Sequence, residues 1–157
     1  MNPESEAAER NSLRNSLRGV RLRRHGDYVK AYAASRKRQS ASMSWFLAPR
    51  AVDAASAARV GLTVGKVLGK AHERNRIKRR MREALRRHVN LLPTGCDLIF
   101  HPRRSVLTLE FAKLEAEIVR ILKQATSEAE QAAAEALRVT RQLAANGTEV
   151  RRATPAS

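Results

Sequence analysis

Between Arg74 and Arg87 the chain sets eight basic side chains, Arg74, Arg76, Lys78, Arg79, Arg80, Arg82, Arg86 and Arg87, against a single acid, Glu83. The chemistry open to such a run is phosphate neutralisation. Guanidinium groups donate paired hydrogen bonds to phosphate oxygens, and bound cations release the counterions condensed on a polyanion. Wound as a helix at about 100° per residue, Asn75, Arg79, Arg82 and Arg86 fall in one line at spacings of four, three and four. Such a row, one donor per turn, can follow a phosphate backbone. Arg76, Arg80 and Arg87 fall on the other flank. A merely solvated helix face would carry more interleaved Glu to pair with these cations.

Other reactive residue types do not assemble into a catalytic pattern. His25, His72, His88 and His101 show no metal-ligand spacing and are read as polar surface or helix-face residues, and His72-Glu73 lacks the second histidine of a zinc-protease helix. Asp27, Asp53 and Asp97 are far apart in sequence. Cys96 is alone, so neither a disulfide framework nor a thiolate cluster is available, and it reads as a small buried residue. The expectation is no catalytic residue and no metal ligand on the protein. Gly65-Lys66-Val67-Leu68-Gly69-Lys70 lacks the Gly-Lys-Ser/Thr of a nucleotide-binding loop. Its glycines suit either a tightly packed turn or a phosphate contact at the helix that follows. Tyr28 and Tyr32, four apart, could form a base-stacking platform, although a pair at that spacing is more often part of a core.

These residues need elements to hold them. Residues 24–34 suit a short helix with Tyr28 and Tyr32 on one face and Asp27 near its start. After the basic patch Arg36-Lys37-Arg38, residues 43–48 alternate as a strand with Met43, Trp45 and Leu47 toward the core. Ala51 to Ala58 reads as a loop between neighbouring strands, and Val60, Leu62 and Val64 mark the second strand. The face opposite the core then carries Ser44, Phe46, Ala48, Arg59, Gly61 and Thr63, an open surface or groove with Phe46 in its floor. Ile77, Met81, Ala84, Leu85, His88, Val89 and Leu92 predict a long amphipathic helix from His72 to Leu92, closed by Pro93 and Gly95. A third strand runs from Asp97 to Phe100. Thr108 is expected to cap a last core helix with Phe111, Leu114, Ile118, Ile121, Leu122 and Ala125 buried.

Charge decides the partner class. Among 157 residues, Lys and Arg number 31 and Asp and Glu 15, a net charge of +16. Residues 1–19 and 126–157 each sum to zero, so the whole excess lies between them, on the part able to fold. That pattern points to nucleic acid rather than to a basic tail on a neutral domain. With 43% hydrophobic but only 4% aromatic residues, one domain with an aliphatic core is expected. Three segments follow: a flexible N-terminal arm, 1–20; a basic nucleic-acid-binding domain, 21–125; and an Ala/Glu-rich tail, 126–157, partly helical or disordered. The apolar runs are short and the N-terminus is acidic, so the expectation is cytoplasmic, with no membrane and no small-molecule substrate.

Several segments, in order, resemble the protein component of bacterial ribonuclease P: Arg59-Val60-Gly61-Leu62-Thr63-Val64-Gly65-Lys66, Gly69-Lys70-Ala71, Arg74-Asn75-Arg76-Ile77-Lys78-Arg79 and Arg82-Glu83-Ala84. Asp27-Tyr28 with Tyr32 is similar to that family's first helix, and Asp97-Leu98-Ile99-Phe100 with Pro102 to its last strand. The likeness covers about residues 21 to 125. Val67 stands where a second basic residue is usual, and His72 where an aliphatic one is.

The resemblance implies an α/β (α+β) two-layer sandwich, with a small mixed sheet, three helices and a left-handed β-α-β crossover. It implies a noncatalytic subunit of an endoribonuclease whose RNA carries catalysis, with magnesium held through that RNA. The implied partners are the ribonuclease P RNA subunit and precursor tRNA, whose 5′ leader is removed. By position, Lys66, Arg74, Asn75, Arg76, Lys78, Arg79, Arg82 and Arg86 would face the catalytic RNA, and Tyr28, Tyr32, Phe46 and Arg59 the leader. The alternative is a basic ribosomal or other structural RNA-binding protein. A basic-zipper DNA-binding module would need a leucine heptad after the basic helix, where Pro93 and Gly95 stand instead.

Overall fold

The structure, a computed structural model, describes residues 17, 19–50 and 57–153. Among them are four strands, β1 (Arg36–Gln39), β2 (Met43–Pro49), β3 (Arg59–Leu62) and β4 (Cys96–Pro102), and three helices of ten residues or more, α1 (His25–Ala34), α2 (Ala71–Arg87) and α3 (Phe111–Ala153). The sheet order is β1-β2-β4-β3. β1 and β4 both run antiparallel to β2, while β3 and β4 are parallel, with Val60 opposite Leu98 and Leu62 opposite Phe100. A parallel pair needs a crossover, and α2 supplies it. β2 and β3 are therefore not neighbours, as the short loop between them suggested; β4 lies between.

Period-two alternation gives the sheet two distinct faces. One carries Met43 and Trp45 of β2 with Leu98 and Phe100 of β4, and packs on Ile77, Met81, Ala84 and Leu85 of α2 and Leu114, Ile118, Ile121, Leu122 and Ala125 of α3. Trp45 is only 1% exposed. The other face is not open: α1 lies across it, with Ala31, Ala48, Ile99 and Leu22 forming a second, smaller apolar cluster. Leu22 reaches this cluster because its N–H donates to the Val60 carbonyl, and the Val60 N–H to that of Val20. Leu17 packs on the main core, so the end of the N-terminal arm contributes to the fold; residues 1–16 lie outside the described residues.

The strand β1 was read only as a basic patch. Its Arg-Lys-Arg-Gln sequence has no apolar residue, and β2 imposes its pairing. α2 stops at Arg87 rather than Leu92, because His88 leaves helical geometry (φ −126°, ψ 30°) and Val89–Leu91 tighten into a 3-10 turn. Thr108 does not cap α3; it ends the 3-10 turn Arg104–Leu107, and the first α3 bonds, from the N–H groups of Lys113 and Leu114, run to Glu110. α3 then continues past residue 126 without a break, and residues 131–147 along it are exposed. Residues 51–56 and 154–157 lie outside the described residues. No described helix is long and apolar enough to cross a membrane.

Candidate nucleic-acid interface

Two surfaces carry the residues singled out by sequence. The first is the α1 side of the sheet. Tyr32 and Phe46 meet edge to face at 5.1 Å between ring centroids, and Tyr28 stands 6.3 Å from Tyr32. All three are half-buried. His101 completes the group, 5.6 Å from Tyr32 and 5.0 Å from Phe46. The Tyr32 hydroxyl lies 2.6 Å from His101 Nε2 and 3.2 Å from Thr63 Oγ1. Burial, and then the Lys37 charge, push the His101 pKa below its ordinary value, which favours the neutral ring.

Sequence reasoning left His101 as a surface polar residue, because it ended the strand at Phe100. Extending the alternation Asp97, Ile99 by one step would have placed it on the Phe46 face. Tyr28 is fixed by its hydroxyl, which donates to the Leu22 carbonyl at 3.3 Å, and burial raises its pKa. Gly61 lies directly beneath this ring: a Cβ there would fall 2.8 Å from Tyr28 Cε1.

Arg59, expected at the leader, is held in ion pairs on the α1 side of the sheet. Its Nε and one terminal nitrogen donate to the two oxygens of Asp97, both at 2.8 Å, and the other terminal nitrogen reaches Asp27 at 3.3 Å. Asp97 is 4% exposed, and Arg50 approaches it at 3.4 Å. Hydrogen bonding to Asp97 holds the Arg59 pKa above its usual value. Arg59 thus joins β3, β4 and α1 through charge-assisted bonds.

The second surface is α2. With Ile77, Met81, Ala84 and Leu85 turned inward, Asn75, Arg76 and Arg79 are exposed, as is Lys66 upstream, while Arg74, Lys78, Arg82 and Arg86 are half-buried. The eight cations divide by partner. Arg80 spans to the carbonyls of Leu107 and Leu109, the first at 3.0 Å, and so braces the turn before α3. Arg86 pairs with Glu83. Arg87 reaches Glu83 at 3.4 Å and Glu115 at 3.1 Å, and lies over the Phe111 ring. Arg74, Arg76, Lys78, Arg79 and Arg82 have no carboxylate partner among the described residues. The unneutralised charge is therefore concentrated in the first two-thirds of the helix.

The glycine turn before α2 is a closed piece of structure. Arg104 donates to the Leu68 carbonyl at 2.8 Å and to Glu73 at 2.6 Å, while Glu73 accepts the Lys70 N–H at 3.1 Å. The Arg104 bond first, and then the Lys70 N–H, hold the Glu73 pKa below its usual range. Gly69 adopts φ 137°, open only to glycine. Glu73 thus occupies the helix N-terminus that an incoming phosphate would use.

The two surfaces meet at Arg82. Arg82 lines a pocket with Tyr28, Arg21, Leu17, Val60, Leu62 and Leu85, and burial, with the nearby Arg21 charge, lowers its pKa. Among the described residues no three His, Cys, Asp or Glu side chains come together as a metal site, and the acidic pair Asp27 and Asp97 is taken up by Arg59.

The Ribonuclease P family model matches residues 17–126. The chain belongs to the ribonuclease P protein family. The ribonuclease P protein component of Chloroflexus aggregans is 39% identical over 109 residues, covering 69% of this chain and 78% of the relative. That of Desulfovibrio desulfuricans is 31% identical over 109 residues, with 68% and 83% covered. Among solved structures, the ribonuclease P protein of Thermotoga maritima superposes with a TM-score of 0.58 at 26% identity, covering 66% of this chain and 96% of that one. The Staphylococcus aureus protein, at 23% identity and a TM-score of 0.58 over 68% and 94%, supports the fold. The α/β sandwich that the resemblance implies is thus the fold found, with a four-stranded mixed sheet and three helices of ten residues or more among the described residues.

Proposed function

We propose that the chain is the noncatalytic protein subunit of a ribonuclease P ribonucleoprotein. It would bind the catalytic RNA along α2 and the 5′ leader of precursor tRNA against the α1 side of the sheet, promoting cleavage to the mature 5′ end. The observation that carries this reading is the pocket shared by Arg82 and Tyr28. It makes the unpaired cations of α2 continuous with the aromatic face, so one RNA assembly can span both.

Arg74, Asn75, Arg76, Lys78, Arg79 and Arg82 supply phosphate donors. Lys66 extends the cationic edge, and Arg86 contributes less because Glu83 neutralises it. Tyr28, Tyr32, Phe46 and His101 offer rings to unpaired bases. Arg59 acts by fastening α1 to the sheet, which holds the tyrosines in place. Magnesium would be bound by the RNA, where it supplies the Lewis-acid chemistry of phosphodiester hydrolysis. The side chains described here position RNA.

The test mixes the purified protein with its cognate RNA subunit and a precursor tRNA at low magnesium. Enhanced 5′ cleavage is expected. No enhancement would sink the reading, and cleavage by the protein without RNA would replace it with an independent nuclease.

A further inference from the structure

The family match ends at residue 126, but α3 does not. Its buried stripe Ile118, Leu122 and Ala125 continues, at the same alternation of three and four residues, through Ala129, Ala132, Ala136, Val139 and Leu143. That spacing is the seam of a coiled coil. Beyond the domain the seam runs into solvent, with Val139 46% and Leu143 66% exposed.

Three features select what covers it. The first is size: the seam is small near the domain and large far from it. If a second copy is laid antiparallel, with the twofold axis between Leu137 and Arg138, Leu143 falls opposite Ala132 and Val139 opposite Ala136. Each large side chain then meets a small one. The second is a cavity of about 260 Å³ between the helix and the β1–β2 edge, lined in part by Ala129, Ala132, Leu47 and Pro49. It lies where the partner's Leu143 would arrive, and it is large enough for a leucine side chain.

The third feature is charge. Residues 128–135 carry Glu128, Glu130 and Glu135 and no base, whereas residues 136–145 carry Arg138 and Arg141 and no acid. Antiparallel pairing brings Arg141 toward the partner's Glu130 and Glu135; parallel pairing would set like against like. An overlap of about 30 Å at a helix diameter near 10 Å buries on the order of 600 Å² per chain, toward the lower end of stable interfaces.

We propose that residues 127–147 of α3 form an antiparallel homodimer contact with a second copy of this chain, which does not depend on the RNA-binding reading. Sedimentation equilibrium of the RNA-free full chain, in salt sufficient to screen its net charge, should show a monomer–dimer equilibrium in the micromolar range. Leu143→Glu, at an exposed position, should weaken it about tenfold or more. A chain that stays monomeric up to about 100 μM overturns the proposal.

Cross-linking reads the geometry directly. In a Cys96→Ala background, Ala132→Cys with Leu143→Cys should oxidise to a covalent dimer. The two sites lie about 16 Å apart along one helix, too far for a disulfide within a chain. Equal yield from Ala132→Cys with Leu137→Cys, which leaves the seam, would overturn the antiparallel arrangement.

Discussion

The hydroxyl of Tyr32 and Nε2 of His101 stand 2.6 Å apart, which ties α1 to β4 across the aromatic face. A neutral imidazole accepts this bond from the phenol, and protonation would remove the acceptor.

That bond gives stability a pH dependence. The folded-state pKa of His101 lies below its ordinary value of 6.5, chiefly through burial. Between those two values the unfolded chain binds the proton and the fold does not, so stability rises with pH through that window and falls as pH drops below 6.5. The urea midpoint should decline between pH 7 and pH 5, and His101→Gln should decline less. Equal slopes for the two proteins would show that His101 is not the group responsible.

Gly61→Ala should loosen the aromatic face. The new methyl would meet the Tyr28 ring at 2.8 to 3.0 Å, and relieving such overpacking costs about 1–3 kcal/mol. Combining it with Tyr28→Ala should cost less than the two single losses added together. Strict additivity in denaturation experiments would rule out the contact as the cause.

Among the described residues Arg59→Ala leaves the buried Asp97 with Arg50 as its one remaining ion-pair partner, and breaking a buried ion pair costs about 3 kcal/mol. Adding Asp97→Asn removes the stranded charge and should recover part of that loss. A measured change under about 0.5 kcal/mol, within the range of ordinary surface substitutions, would mean the bridge is not holding α1.

Adjacent arginines on α2 should separate by assay. Arg79→Ala should leave thermal stability unchanged while flattening the salt dependence of RNA affinity by about one unit of slope. Arg80→Ala should do the reverse, destabilising by about 1.5–3 kcal/mol through loss of two carbonyl contacts with the salt slope intact. If both lowered the slope equally, the division of the helix into bracing and RNA-facing cations would fail.

What was legible in the sequence follows the range of the interaction. The α2 stripe of Ile77, Met81, Ala84 and Leu85, and the inward Met43 and Trp45, came from local periodicity, which one segment carries by itself. β1 did not, because Arg36 to Gln39 pair only where β2 presents an edge. Helical phase puts Arg79 and Arg80 on different flanks; that Arg80 braces the turn before α3 rests on the distant carbonyls of Leu107 and Leu109, which no local pattern reveals. Arg59 was placed on the sheet face opposite the core and at the leader; its ion pair was not legible, since Asp97 lies 38 positions away. His101 was missed by a boundary error of two residues.

Trp45 is the chain's single tryptophan, and its two tyrosines are Tyr28 and Tyr32. The indole is sealed against α2 and α3 on one side of the sheet, and the phenols sit with α1 on the other. The molecule thus carries two intrinsic chromophores separated by the thickness of a sheet. A ligand entering the aromatic face perturbs phenol absorbance while the indole emission stays blue; only loss of the fold lets water reach both.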